Sequence, residues 1–494
     1  MFEAAELGRT LSKEEYAEQL PELRLRLLEA QQALRRAGVP VVIIVAGMDG
    51  ADKGEVVHHL NEWLDPRGID THTFWNPSGE EEERPYYWRF WRSLPARGRV
   101  GIYYGAWYQD LLAGRVRGKL SRARLEMELA RVAAFERMLV EDGALIIKLW
   151  FHLSEKDQRR RLKARGKGPE DGLVMVRSGG KHGRSYERFV AAAESVIRQT
   201  DTGFAAWRLI EAGQDRYRDL TAGQLVVDAM EGRLAVAARK ETAGAGAARD
   251  EAKPRRAKAT VLDKVDLTLQ LGKKAYGKQL PVLQRKLSRL TWEAYRRGIS
   301  SILVFEGWDA AGKGSAIRRV TEAVDARLFR VVPVAAPSEE ERAQHYLWRF
   351  WRQLPRSGMV TVFDRSWYGR VLVERVEGYA TRPEWQRAYH EINEFERQLA
   401  EHGTVVQKFW LHISREEQLE RFRKREQVRH KNYKITEEDY RNRKRWPQYE
   451  QAVHDMVTHT STQDAPWSLV SGNDKQVARL EVLKAFVEAL EKRL

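Results

Sequence analysis

Cysteine is absent from the 494 residues, which excludes disulfides, thiolate zinc sites and a cysteine nucleophile. Long apolar runs are absent as well. The longest, Val39 to Gly47, falls far short of the roughly 20 residues that a membrane-spanning helix needs. Residues 1–20 are punctuated by Glu, Arg and Lys and carry no leader-like apolar core, so a soluble, cytoplasmic protein with no membrane partner is expected. The 12 histidines lack zinc-type spacing, and His152 and His412, which follow apolar runs, read as structural. Acidic residues are in deficit: 70 Asp and Glu stand against 86 Lys and Arg, a net charge of +16. That excess favours polyanionic partners such as nucleic acid, an anionic surface or a phosphate-rich substrate. What is plentiful is core material, 43% apolar and 10% aromatic, enough to exclude disorder as the main state and to fill two domains.

The sequence repeats itself at one fixed offset. WRFWR occurs at Trp88–Arg92 and again at Trp348–Arg352, 260 residues later. The same offset relates Gly47-Met-Asp to Gly307-Trp-Asp, Trp107-Tyr108 to Trp367-Tyr368, and Lys148-Leu-Trp-Phe-His-Leu-Ser to Lys408-Phe-Trp-Leu-His-Ile-Ser. A register this constant implies duplication, and a period this long implies tandem domains rather than a solenoid. Between the copies, Ala235 to Lys258 is rich in Ala, Gly, Lys and Arg, with no large apolar residue after Val236. The division expected is a domain over 1–234, a basic flexible linker over 235–261 and a second domain over 262–494.

Each copy opens with a helical pattern, Glu14–Ala37 and Lys278–Arg297, stopped by Gly38 and Gly298. Apolar runs follow at Val39–Ala46 and Ile299–Glu306, and in the second copy at Phe329–Val334, Met359–Phe363, Val405–Ile413 and Trp467–Val470. Strands apolar on both faces and alternating with helices predict an α/β fold, a parallel sheet flanked by helices.

The chemistry concentrates in the second copy. Gly307-x4-Gly312-Lys313 follows a strand and opens a helix, the setting of a phosphate-cradling loop. Its glycines permit close backbone approach and Lys313 brings a point charge. Gly314 stands where such loops usually carry a metal-binding Ser or Thr, and Ser315 comes one place late, so Asp309 within the loop is the alternative metal ligand. A second strand, Met359-Val-Thr-Val-Phe, ends in Asp364-Arg365, as a strand does when it presents a carboxylate to the Mg²⁺ of a bound phosphate. The first copy has lost parts of both. Asp52 replaces Gly312, and Tyr104-Gly105 replaces Asp364-Arg365, although Asp49 and Lys53 survive. It reads as degenerate.

Arg421 to Arg445 holds eleven Lys and Arg against four Asp and Glu, either a solvated face or a mobile helical lid that brings cations onto a transferring phosphate. The first copy thins it, with Pro169, Asp171 and Val174 in place of Arg429, Lys431 and Lys434. Ser78-x-x-Glu81 and Ser338-x-x-Glu341 read as capping boxes opening the WRFWR helices, which makes Glu80–Glu83 helix N-terminal charge rather than a metal site. The WRFWR tryptophans read as core rather than base-stacking platforms.

Gly307-Trp-Asp-Ala-Ala-Gly-Lys-Gly, Asp364-Arg-Ser-Trp-Tyr, the basic segment and Thr460-Ser-Thr-x-x-Ala-Pro-Trp467 together resemble the polyphosphate kinase 2 family over nearly the whole chain. The resemblance implies two tandem P-loop kinase domains of thymidylate-kinase-like fold, Mg²⁺ dependence, and inorganic polyphosphate as phosphoryl donor to a nucleotide. The fused two-domain members favour AMP, giving ADP, with GMP as the neighbouring acceptor. By position, Asp309 and Asp364 would hold Mg²⁺, while Lys313, Arg365 and Arg425 would neutralise the transferred group. Gly307, Gly312, Gly314 and Lys431 would bind phosphate, and Arg370 and Glu374 are the weaker acceptor-side candidates. A homo-oligomer is compatible with this reading. An ATP-dependent nucleoside monophosphate kinase needs the same loop but less positive charge. A basic nucleic-acid-binding P-loop protein would account for the charge but has no use for Asp364, which disfavours nucleic acid as partner.

Overall fold

The computed structural model describes residues 1–74, 76–165, 182–244, 259–427 and 437–494. The chain divides into two compact units, built chiefly from residues 1–77 with 89–250 and from 251–341 with 346–494. The first contains strands β1 (Val41–Gly47), β2 (Ile69–Thr73), β3 (Val100–Tyr104), β4 (Leu145–His152) and β5 (Trp207–Glu211). They form one sheet in the order β2-β3-β1-β4-β5, every pair parallel. The second contains β6 (Ser301–Gly307), β7 (Phe329–Pro333), β8 (Val360–Asp364), β9 (Val405–His412) and β10 (Trp467–Ser471). Its order, β10-β9-β6-β8-β7, is the same arrangement read from the other edge, again parallel throughout.

Burial explains why these runs are strands. Val41 to Ala46 and Ser301 to Glu306 are buried without alternation, which only a sheet covered on both faces allows. Helix Lys13–Arg36 packs on helix Asp215–Gly244 in the first unit, and helix Lys273–Arg296 packs on helix Lys475–Arg493 in the second. The expected tryptophan core is present: Trp88, Trp91, Trp348 and Trp351 are all buried. No helix among the described residues is long and apolar enough to cross a membrane.

Three expectations need correction. The helix expected from Lys278 begins at Lys273, running through Gly277, since a glycine inside a helix costs only roughly 1 kcal/mol and need not end it. The capping boxes are real, with Ser78 and Ser338 each exchanging hydrogen bonds with the glutamate three residues on. They open separate short helices, Gly79–Glu82 and Glu339–Arg342, ahead of the WRFWR helices at Trp88–Ser93 and Trp348–Trp351. Lastly, helix Asp215–Gly244 runs ten residues into the stretch read as linker, carried there by its Ala-rich composition, and residues 245–258 lie outside the described ones.

One buried polar cluster recurs in both units. Lys408 Nζ donates to Glu396 Oε2 at 2.7 Å, Tyr368 Oη at 2.8 Å and Thr460 O at 2.7 Å. Lys148 makes the same set with Glu136 at 2.8 Å, Tyr108 at 3.2 Å and Thr200 at 2.6 Å. Each lysine and each glutamate is fully buried, so each charge is retained only by its partner and the surrounding hydrogen bonds.

Candidate active site

In the second unit β6 ends at Gly307, and the chain turns through Trp308–Gly312 into helix Lys313–Thr321. The central strand β6 lies between β8 and β9, where the direction of strand addition reverses, and open α/β sheets collect ligands at such a crevice. Gly307 has φ +150° and a Cβ there would sit 2.6 Å from the Leu411 carbonyl oxygen, so only glycine fits. Gly312 is left-handed, with φ +111°, and caps the helix without a side chain, leaving the first N–H groups and the positive helix end open to an anion. Gly314 lies in the first turn, where a Cβ would meet nothing within 4 Å. Lys313 folds back over the loop, its Nζ donating to Gly307 O at 2.8 Å and Trp308 O at 3.4 Å.

Parallel register places Asp364, the last residue of β8, beside Phe305 of β6. Arg365 follows in a left-handed conformation, φ +64°, with its N–H donating to Phe305 O at 3.0 Å. Its guanidinium reaches Asp309 Oδ1 at 3.4 Å, while Asn442 Nδ2 donates to Asp309 Oδ2 at 3.1 Å. Asp309, Lys313, Asp364 and Arg365 thus cluster about the loop. Half-buried Arg425 is within electrostatic reach of Asp309 and Asp439, and desolvation lowers its pKa from the usual arginine value. Arg370 and Glu374 pair with each other at 3.1 Å, with the Arg370 guanidinium over the Tyr346 ring at 4.5 Å. Lys431, Arg429 and Lys434 lie outside the described residues, as do Pro169, Asp171 and Val174.

Part of the basic run is structural rather than solvated. Arg421, 4% exposed, donates to the carbonyls of Ala310, Ala311, Gly472 and Asn473 at 2.6–3.0 Å, tying the phosphate loop to the turn after β10. Arg443 likewise donates to Arg415 O at 2.6 Å. Trp308 stacks on Trp446 with ring centroids 3.7 Å apart, and its Nε1 donates to His412 Nδ1 at 2.9 Å. His412 is therefore structural, and burial pushes its pKa down to about 4. Beside the loop a cavity of about 80 Å³ is lined by Asp309, Arg365, Asn442, Trp308 and Trp446, among others.

Two neighbours of the loop escape motif reading. Glu306, the last residue before Gly307, is 5% exposed and accepts a hydrogen bond from Ser366 Oγ at 2.8 Å. Burial lifts its carboxyl to about 7 against the opposing pull of Lys313, Ser366 and Arg365. The signal that could have found both lies in the duplication, since the first copy has Ala46 and Ala106 in their places. Asn442 had no comparable signal, being 133 residues from Asp309 in the chain.

In the first unit the loop bends the same way, Asp52 adopting φ +53° where Gly312 stands, but its carboxylate is taken up by cations of the same unit. The Asp52 carboxylate pairs with Arg161 and, at 3.3 Å, with Arg218. Arg161 also reaches Asp215 at 2.7 Å, and buried Arg218 reaches Asp219 at 2.7 Å. Lys53 Nζ is buried against Gly47 O and Met48 O, at 3.2 and 2.6 Å. The cavity beside this loop is larger, about 440 Å³, and its walls include Tyr104, Trp150, Phe189 and Leu112.

The donor set of the second unit suits a hard divalent cation that keeps waters and phosphate oxygens as its other ligands. Asp309 and Asp364 offer two carboxylates, and among the described residues no three His, Asp or Glu groups converge as a protein-only metal cage would require. A glycine loop opening a helix at the switch point of a parallel sheet, with a carboxylate at the end of the neighbouring strand, defines an α/β protein of the P-loop phosphotransferase class.

Comparison with known proteins narrows the class. The family model for polyphosphate kinase 2 (PPK2) matches residues 10–237 and again 270–494. The chain is 48% identical over 492 residues to a polyphosphate:AMP phosphotransferase of Pseudomonas aeruginosa, covering 99% of each. It is 37% identical to one of Acinetobacter johnsonii, covering 95% of this chain and 96% of that one. A crystal structure of a polyphosphate kinase 2 from Pseudomonas aeruginosa superposes with a TM-score of 0.89 at 47% identity, covering 100% of this chain and 99% of that one. The chain belongs to the polyphosphate kinase 2 family.

Proposed function

We propose that this protein transfers the terminal phosphoryl group of inorganic polyphosphate to AMP, giving ADP and a chain one phosphate shorter, and that the second unit carries the reaction with Mg²⁺. The observation that carries the reading is the gathering of Asp309, Lys313, Asp364 and Arg365 around a glycine loop, against a first-unit loop whose Asp52 is taken up by its own ion pairs and whose neighbouring strand ends without a carboxylate. The names of relatives matched end to end supply donor and acceptor. The same chemistry admits GMP. A cytoplasmic location accords with substrates of this kind, and catalysis is assigned to 262–494.

The α-phosphate oxygen of AMP is already an anionic nucleophile at neutral pH, so the chain needs no strong general base. It attacks the terminal phosphorus in line, a P–O bond forms to AMP, and the bond to the penultimate phosphate breaks with its electron pair going to the shortened polyphosphate. The obstacle is electrostatic, two polyanions brought together and charge moving to the leaving group. Loop N–H groups bared by Gly307, Gly312 and Gly314 cradle phosphate oxygens. Lys313 exchanges its loop carbonyls for them, and Arg365 and Arg425 screen the transferred group, with Lys431 further along the basic segment. Asp309 and Asp364 would hold Mg²⁺, which when bound neutralises phosphate charge. Arg370 and Glu374 border the acceptor side.

The test is an assay with polyphosphate, AMP and Mg²⁺ that follows ADP, beside arms in which ATP replaces polyphosphate or EDTA removes the metal. ADP formed from polyphosphate and abolished by EDTA is expected. ADP formed with ATP alone would overturn the donor assignment, and undiminished turnover in EDTA would overturn the metal.

A further inference from the structure

Arg365 occupies a backbone region that non-glycine residues adopt only when their surroundings impose it. In this turn the imposing contacts are visible. Ser366 is extended, with φ −157° and ψ −164°, and 3% exposed. Its Oγ donates to Glu306 Oε1 at 2.8 Å and accepts from Tyr368 N at 3.3 Å. Glu306 is anchored in turn as the penultimate residue of β6, one place ahead of the phosphate loop. One buried hydrogen bond therefore links the end of β6 to the turn that carries Asp364 and Arg365.

The duplication supplies a comparison within the same chain. The first unit has the same strands in the same order but lacks both partners, with Ala46 for Glu306 and Ala106 for Ser366. There the turn takes another path. Gly105 has φ +81°, and Ala106 swings to φ +44° where Ser366 is extended. The residues lost with the pair are those placed at the reacting phosphates, since Tyr104 and Gly105 stand for Asp364 and Arg365. A hydrogen bond needed only to hold the sheet would have had the same use in both units.

We infer that Glu306 and Ser366 are positioning residues, acting as one unit to fix the Asp364–Arg365 turn in the geometry that phosphoryl transfer requires. The inference rests on the functional reading above. It assigns neither residue a contact with substrate. Each acts through the turn, as the hydrogen-bonded supports of functional side chains commonly do.

The experiment uses the full-length chain with Glu306→Ala, Ser366→Ala, the double variant and Glu306→Gln, whose amide oxygen can still accept from Ser366. Each single alanine variant should lower kcat by about 10- to 100-fold with KM for polyphosphate nearly unchanged. The double variant should be no worse than either single, because the two share one bond, and Glu306→Gln should recover most of the rate. Hydrogen exchange without substrates gives a readout independent of activity: the Arg365 and Tyr368 amides should exchange faster in the alanine variants and at the unaltered rate in Glu306→Gln. Additive losses, an effect confined to KM, or unchanged exchange in Ser366→Ala would overturn the inference. An unaltered protein that makes no ADP from polyphosphate would refute the functional reading instead, and the exchange data would still decide whether the pair fixes the turn.

Discussion

Asp364 closes β8 beside the phosphate loop, and exchanging one of its oxygens for nitrogen changes its charge and almost nothing of its shape. Asp364→Asn should therefore fold normally while the rate of ADP formation at saturating Mg²⁺ falls by two or more orders of magnitude, about 3 kcal/mol of barrier. Near-normal turnover would remove Asp364 from the metal site. Arg425 reports on the basic segment. Because it is half-buried within reach of Asp309 rather than projecting into solvent, Arg425→Ala should slow turnover by a similar factor, about 100-fold, whereas the loss of a solvated charge would leave the rate unchanged. His412 makes a different prediction, on stability. Burial holds its pKa at about 4 against the usual 6.5, so between those values an unfolded chain takes up a proton that the folded chain refuses. Its contribution is complete above pH 6.5 and declines as the pH falls toward 4, by at most about 3 kcal/mol. In urea melts at pH 7 and pH 5, His412→Gln, which keeps an acceptor for Trp308 Nε1, should lose less stability on acidification than the unaltered protein. Equal losses would refute this.

Among the elements, the strands were legible and their neighbourhood was not. Unbroken apolar runs ended by Gly307 and Asp364 announce a covered parallel sheet with chemistry at its C-terminal edge, because the pattern and the function are both local. What remained hidden was set by distance in the chain. Asn442 reaches Asp309 only through the fold, the sequence leaves Arg421 between a solvated face and a lid whereas four backbone carbonyls surround it, and nothing local marks Glu306, at the end of an apolar run, as the partner of Ser366. The start of the helix at Lys273 was hidden as well, because Gly277 reads as a break in the pattern and the helix runs through it. The Lys–Glu clusters on β4 and β9 belong to this scale too. Being equally complete in both units, they serve the fold rather than the reaction. Lys408→Met should strand Glu396 as an unpaired buried carboxylate and cost about 3–5 kcal/mol, read as a lowered unfolding midpoint. The double change Lys408→Met with Glu396→Leu should recover part of that loss, and its failure to do so would show the pair to be stabilising in its own right.

For the whole molecule, the proposed reading gives catalysis to the second-unit loop and none to the first. In the full-length chain Lys313→Met should abolish ADP formation, whereas Lys53→Met, which alters the lysine of the first-unit loop, should leave kcat within about twofold once folding is verified by its melting curve. The truncated pieces should divide the same way, with activity in 262–494 and none in 1–234. Measurable turnover in the latter would refute the assignment. The ion network at the first loop bears on how that loop could change. Asp52, Arg161, Arg218 and Asp215 satisfy one another around a turn built for an external anion. Restoring glycine at position 52 alone would remove the carboxylate that two guanidiniums share, leaving Arg161 and Arg218 with Asp215 and Asp219, and the variant would still lack Asp364 and Arg365 equivalents. A single change at Asp52 would thus disturb these ion pairs without supplying a second carboxylate, so on the proposed reading the first copy would need several changes together before it could hold a metal-bound phosphate.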